Sequence, residues 1–240
     1  MNRACELVVC AACLPFAVVV GAVAAVMLRL ASDGPVFFVQ IRVGRGGKLF
    51  RLFKLRTMVS GPEAERSSLT VAGDSRLSRS GRVIHRLGID ELPQLWNVLR
   101  GDMSLIGPRP EVPEFVDQSR PAWREILSVR PGLTDAASVA FFRAERTLLA
   151  RSRDRRRAYV EAILPAKLEL SRKALRRRSV ASDVVVVGQT LAMLTAVGRR
   201  REHPAVAAAS AAIDCMDGEV SHAVESRRGS GLAGQGASDL

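Results

Sequence analysis

The sequence predicts an α+β fold: a mostly helical, membrane-associated domain with one small β-hairpin and an apolar helix at its N-terminus. Leu7 to Leu28 carries no charge and is long enough to match a bilayer core of about 30 Å. Two runs rich in Val, Phe and Leu flank Gly44-Arg45-Gly46-Gly47, as strands flank a hairpin loop. Elsewhere the apolar residues recur at helical spacing, most clearly at Leu92, Leu95, Trp96 and Leu99.

A length of 240 residues allows one ordinary domain with attachments. The natural division is a membrane helix over 1–30, a principal domain over 31–200 and a tail over 201–240. Lys and Arg total 36 against 24 Asp and Glu, a net charge of +12. Such a balance points to a polyanionic partner: nucleic acid, an anionic membrane surface or phosphorylated substrates. Aromatic residues make up only 5%, too few for the stacking platforms of single-strand binders, so nucleic acid is disfavoured. Cys10-Ala-Ala-Cys13 is formally C-x-x-C, but no second Cys or His pair accompanies it, and in an apolar helix both are small packing residues. His85, His203 and His222 form no ligand cluster, so a zinc site is not expected.

Arg3 precedes the apolar segment and Arg29 follows it. A signal peptide and a straight spanning helix are the alternatives. The long apolar run, Glu6 in the basic end and the lack of a convincing cleavage site argue against the first. Pro15, near mid-segment, removes a helix hydrogen bond and predicts a kink.

Asp33-Gly34-Pro35 reads as a turn, with strands over 36–43 and 48–55. The glycine loop between them could cradle phosphate, but no helix N-terminus follows it, which favours a plain hairpin turn. Phe50, Leu52, Lys54 and Arg56 share one face of the second strand. Two cations on an apolar face mark either a strand end entering solvent or an anion contact. Residues 59–75 read as a polar loop.

The run from Gly88 to Pro110 holds the densest chemistry. Adjacent carboxylates, Asp90 and Glu91, precede an amphipathic helix, with Asp90 where an N-cap belongs, Pro93 in the first turn and Gly101 as the stop. A carboxylate there is favoured in its ionised form by the helix dipole. Gly107-Pro108-Arg109-Pro110 is a stiff turn that would fix one guanidinium. Taken alone, these residues also describe no more than a capped helix and a Pro-rich turn.

The run DELPQLWNVLRGDMSLIGPRP, with DGPVFFVQIRVGRGGKLFRLFKLRTM upstream of it, resembles the bacterial sugar transferases that act as monotopic phosphoglycosyl transferases, and the likeness covers roughly residues 1 to 195 in order. The resemblance implies an N-terminal re-entrant membrane helix with both ends on the cytoplasmic face of the bacterial inner membrane. It implies transfer of a sugar 1-phosphate from a UDP-sugar to polyprenyl phosphate with release of UMP, starting a polysaccharide or glycoconjugate. Asp90 would be the nucleophile and Glu91 the ligand of Mg²⁺. Lys54, in KLRTM, and Arg109 would contact substrate phosphates, with Arg56 beside Lys54 as a further candidate. A catalytically inactive membrane scaffold is the alternative, and self-association is left open.

The chain departs from the family pattern at several points. Leu14 stands before Pro15 where the family has serine, and Glu6 where it often has aspartate. On the expected helix from Leu77 to Leu87, His85 replaces an arginine five residues before Asp90, and Gly88 replaces a serine. Arg86 or a protonated His85 is then the candidate for the phosphate contact. Asp102 and Ser104 are expected to brace the turn beneath Arg109. Thr134-Asp135-Ala136-Ala137-Ser138, followed by Phe142-Arg143-Ala144-Glu145, is similar to one branch of the family and makes Arg143 a candidate for the nucleotide phosphate or base, against a solvated surface arginine.

A short helix is expected from Pro121 to Val129. Residues 146–178 form a basic helical pattern whose arginine clusters, 155–157 and 176–178, either face solvent or dock on anionic inner-membrane lipids. Residues 183–197 form a second apolar helix too short to span a membrane. After Arg201 the Ala, Gly, Ser and Asp composition predicts a tail without packed structure.

Overall fold

The computed structural model describes residues 2–31, 34–58, 69–72, 74, 76–195 and 203–233, with side chains described to 194 and again from 203 to 218. The loop expected over 59–75 lies mostly outside the described residues. The observed fold is α+β, helical for most of its length.

Helix α1 (Arg3–Ala31) continues through Pro15. Proline removes one backbone hydrogen bond from the ladder, and the flanking turns carry the helix past it. At 1.5 Å per residue its length is about 43 Å, and it is the one described helix long and apolar enough to cross a membrane. One stripe of it is buried: Glu6, Cys10, Ala17, Ala24 and Leu28. The opposite side leaves Val8, Phe16, Val19, Val23, Val26 and Leu30 exposed.

Strands β1 (Phe37–Val43) and β2 (Leu49–Leu55) pair antiparallel, from Phe37 opposite Leu55 to Val43 opposite Leu49. Helix α2 (Arg79–Arg86) starts on Ser78, whose hydroxyl accepts from the Gly81 backbone. Helix α3 (Gln94–Arg100) follows and ends at Gly101. Cys10 and Ala17 of α1 pack with Leu52, Leu95, Val98 and Met103, while Ala24 and Leu28 pack with Leu55 and Ile84. Both halves of α1 therefore rest on the same body of the protein.

Two details of this region differ from the sequence reading. Pro93, not Asp90, is the residue at the start of α3, and Asp90 caps nothing there. Trp96, placed on the buried face by its spacing, is 59% exposed. The buried face is instead made by Gln94, Leu95, Asn97 and Val98. Asn97 accounts for the shift: its amide donates to the Arg51 carbonyl (2.7 Å) and accepts from the Phe53 N–H (3.2 Å), joining α3 to β2 through backbone groups of that strand.

Strands β3 (Ser104–Ile106) and β4 (Gly132–Thr134) form a short parallel pair. Between and beyond them lie α4 (Pro121–Ile126), α5 (Ala136–Phe141), α6 (Ala144–Arg151) and α7 (Arg155–Ala158). A π-turn over Tyr159–Ile163 leads into α8 (Leu164–Arg176), and α9 (Val180–Thr195) and α10 (Pro204–Ala233) complete the chain. Trp123, Ile126, Phe141, Leu149, Tyr159 and Ile163 form the largest core.

Helix α10 occupies much of the segment expected to lack structure. Val206, Ala209 and Ile213 are buried in the main core. Alanine has the highest helix propensity, and these residues make an apolar stripe at i, i+3 and i+7 that composition alone does not display. The arginine clusters are largely exposed and in part ion-paired within the chain. Arg156 pairs with Glu114 (2.8 Å), Arg157 with Glu161 (3.1 Å), Arg176 with Glu125 (2.7 Å) and Arg178 with Asp183 (3.2 Å).

Candidate active site

The turn after α2 sets the geometry. Gly88 has φ +68°, a left-handed conformation that glycine adopts without cost, and a Cβ there would meet Leu194 of α9 at 2.9 Å. The chain reverses at Gly88 into a 3₁₀ turn over Ile89–Glu91. This brings Asp90 back against His85, whose Nδ1 lies 2.9 Å from Asp90 Oδ2. Asp90 is 3% exposed, and its other oxygen, Oδ1, has no hydrogen-bond partner among the described residues. A carboxylate oxygen left unpartnered under burial is costly unless a ligand meets it.

Glu91 points to two cations. It accepts from Lys54 Nζ (3.0 Å) and from both terminal nitrogens of Arg109, one of them at 3.1 Å. Burial pushes the Glu91 carboxyl up, but Arg109 and Lys54 outweigh it and hold the group below the usual carboxylate range. Glu91 in turn raises the Arg109 guanidinium above its ordinary value.

Arg109 is placed by a crossing of two backbones. The Gly107 N–H donates to Thr134 O (3.0 Å) and the Gly132 N–H to Pro108 O (2.9 Å). A Cβ on Gly132 would lie 2.1 Å from Gly107 N, so only glycine permits this approach. The Pro-Arg-Pro turn is thereby pinned to β4.

A cavity of about 320 Å³ opens between these groups, lined by Lys54, His85, Asp90, Glu91 and Arg109 on one side. Arg42, Glu111, Glu145, Arg146, Tyr159 and Lys167 line the other, with Thr190, Met193 and Leu194 of α9 along its edge. Tyr159 donates to Glu111 (2.7 Å), and Lys167 pairs with both Glu111 and Glu145 at 3.1 Å. Burial pushes the Lys167 ammonium down, yet Glu111 and Glu145 outweigh it and hold it well above its usual value. Burial likewise lowers Arg146, against the opposing fields of Asp90 and Glu145.

The structure thus brings together Asp90, Glu91, Lys54 and Arg109. Three other candidates lie elsewhere. Arg56 turns away toward the Gly34 backbone, Arg86 is exposed on α2, and Arg143 is exposed at the start of α6. None of the three lines the cavity. Arg146 does, three residues beyond Arg143, because the helical turn between them carries it inward. Sequence reasoning also missed Lys167, although its place between Leu164 and Ser171 on the buried stripe of α8 was a usable signal.

The donor set suits a hard divalent cation only with help. Among the described residues no group of three or more His, Cys, Asp and Glu side chains is placed to hold a metal. Glu91 lines the cavity with carboxylate oxygens of the kind Mg²⁺ takes, but Lys54 and Arg109 occupy both, so those cations would have to turn to substrate phosphate, with the remaining metal ligands left to phosphate oxygens and water.

Comparison with known proteins shows the family. The model of the bacterial sugar transferase family matches residues 1–196. An Aeromonas hydrophila protein, a UDP-N-acetylgalactosamine-undecaprenyl-phosphate N-acetylgalactosaminephosphotransferase, is 49% identical over 118 residues, covering 48% of this chain and 28% of its own. A UDP-glucose:undecaprenyl-phosphate glucose-1-phosphate transferase of Caulobacter vibrioides is 44% identical over 119 residues, 48% of this chain and 45% of its own. An undecaprenyl-phosphate glucose phosphotransferase of Komagataeibacter xylinus is 40% identical over 128 residues, 50% of this chain and 24% of its own. The matched part is thus less than half of each of these relatives.

Proposed function

Because this chain belongs to the bacterial sugar transferase family, we propose that it transfers a sugar 1-phosphate from a UDP-sugar to polyprenyl phosphate, releasing UMP, through a covalent intermediate on Asp90. The observation that carries the reading is the Asp90 carboxylate, buried beside a cation cluster with Oδ1 unpartnered. That oxygen attacks the sugar-bearing phosphorus, forming an Asp90–phosphorus bond as the bond to the UMP oxygen breaks. The lipid phosphate then attacks the same phosphorus and releases Asp90. Neither displacement consumes or liberates a proton at Asp90.

Both substrates are anions, and repulsion between them is the barrier the site must offset. Arg109, held in a fixed plane by its flanking prolines, offers paired donors to phosphate oxygens, and Lys54 adds a compact charge. Glu91 is the residue that would hold Mg²⁺, which would neutralise diphosphate charge and polarise the phosphorus. Arg146 supplies a further cation on the cavity wall. Membrane contact falls to the exposed apolar side of α1 and to Val184 and Leu191 of α9, with exposed arginines to meet anionic lipid. The site would then face the cytoplasm from the inner membrane. A screen for UMP release across UDP-sugars, with undecaprenyl phosphate and Mg²⁺ present, tests the reading. Turnover with at least one sugar is expected; no release with any would favour an inactive scaffold.

A further inference from the structure

We propose that His85 is a positioning residue for the nucleophile: its Nδ1–H holds Asp90 Oδ2, so that Oδ1 alone is presented to phosphorus. The inference rests on the reading of Asp90 as nucleophile and goes beyond it, because the expected role for this position was a contact to substrate phosphate.

The geometry favours the carboxylate over the substrate as the partner of His85. Nδ1 lies 2.9 Å from Oδ2, within ordinary hydrogen-bond range. An ionised carboxylate has no proton to give, so the imidazole donates and its Nδ1 carries the hydrogen. Nδ1 sits close to the backbone on a short side chain, and it reaches Asp90 because Gly88 folds the chain back at φ +68°. An arginine at position 85 would be longer and permanently charged. Histidine and glycine here act as a pair: the tight turn makes the short side chain sufficient.

The consequence is an asymmetric carboxylate. Oδ2 is occupied, while Oδ1 is buried with no hydrogen-bond partner among the described residues, and Asp90 lines the cavity. The Nδ1–H orients the group through one oxygen and leaves the other to the substrate. The charged groups facing His85 across the cavity are Asp90 in direct contact, then Glu91 with Lys54 and Arg109, and Arg146. The packed face of α1 presents no charge between Glu6 and Arg29.

Single-turnover UMP release by the full-length protein in detergent, with UDP-sugar and Mg²⁺ but no lipid acceptor, distinguishes the possibilities. His85→Leu should lose burst rate by on the order of ten- to a hundredfold with the KM for UDP-sugar little changed. His85→Asn, whose side-chain amide nitrogen can stand where Nδ1 does, should recover most of that loss. His85→Gln, whose amide reaches further, should not. Melting temperatures identify any variant that fails to fold. Equal rates in folded Leu, Asn and Gln variants, or a loss appearing only in KM, would overturn the proposal and point to a structural or substrate-binding role. Absence of any burst in the wild type would instead count against the covalent reading itself.

Discussion

The Ser104 hydroxyl donates a hydrogen bond to the Glu6 carboxylate, joining the start of the membrane helix to strand β3. Arg3 adds bonds to the carbonyls of Val98 and Met103, the latter at 3.2 Å. At the other end of the same helix, Leu28 packs with Leu55 and Ile84. Both ends of α1 are held by one body, which a helix crossing the bilayer away from its domain would not allow.

Single cysteines at Asn2 and Ala31, in a background lacking the four native cysteines, should therefore both resist a membrane-impermeant thiol reagent applied from the periplasm. Labelling of the Asn2 site alone would establish a spanning helix.

Arg109→Lys keeps the charge but replaces a planar pair of donors by a mobile point charge. Losing one charge-assisted hydrogen bond is worth about 1.5–3 kcal/mol, so kcat/KM should fall roughly ten- to a hundredfold. Steady-state turnover decides it; near-normal kcat/KM would make Arg109 a structural residue.

Gly132→Ala places a methyl group 2.1 Å from the Gly107 nitrogen, where the neighbouring atoms are backbone and cannot rotate aside. Overpacking of this kind costs about 1–3 kcal/mol, occasionally more. The melting temperature should drop and activity should drop with it, because the same crossing places Arg109. A variant that melts like wild type would show that the two backbones separate easily.

Lys167→Met removes the buried cation that Glu111 and Glu145 share, leaving Glu111 with Arg42 alone among the described cations, and should cost about 3–5 kcal/mol of stability. The pH dependence has two signs. Burial pushes the Glu111 carboxyl up, but Lys167 and Arg42 outweigh it and keep it below the usual range. Its contribution is present above about pH 4.3 and is lost as pH falls through the depressed value. The raised Lys167 contributes below about pH 10.4 and its share is lost as pH rises through the raised value. Wild-type unfolding followed against pH should thus show a plateau between these limits, with acid and alkaline losses both smaller in Lys167→Met.

Much of this was legible in the chain itself. The hairpin, α2 and the stop at Gly101 follow from local chemistry, and Asp90, Glu91, Lys54 and Arg109 converge as their motifs suggest. What local pattern could not supply was pairing across distance. Asn97 reads as a polar interruption until its amide is seen bonded to β2, and Trp96 is displaced from the buried face as a result. Arg143 and Arg146 differ by three residues, and only the position of α6 decides which enters the cavity. The tail helix was missed because alanine contributes helix propensity without a strong apolar pattern.

The most direct measurement concerns Asp90. Asp90→Asn keeps the shape and can still accept from His85, so the protein should fold while nucleophilicity is lost. Wild type, given UDP-sugar and Mg²⁺ without lipid acceptor, should release UMP in proportion to enzyme and retain sugar phosphate covalently, detectable as a mass increase of the intact chain. Asp90→Asn should do neither. Product formation by Asp90→Asn at the wild-type rate, or UMP release by wild type only after polyprenyl phosphate is added, would contradict the account and favour direct attack by the lipid phosphate.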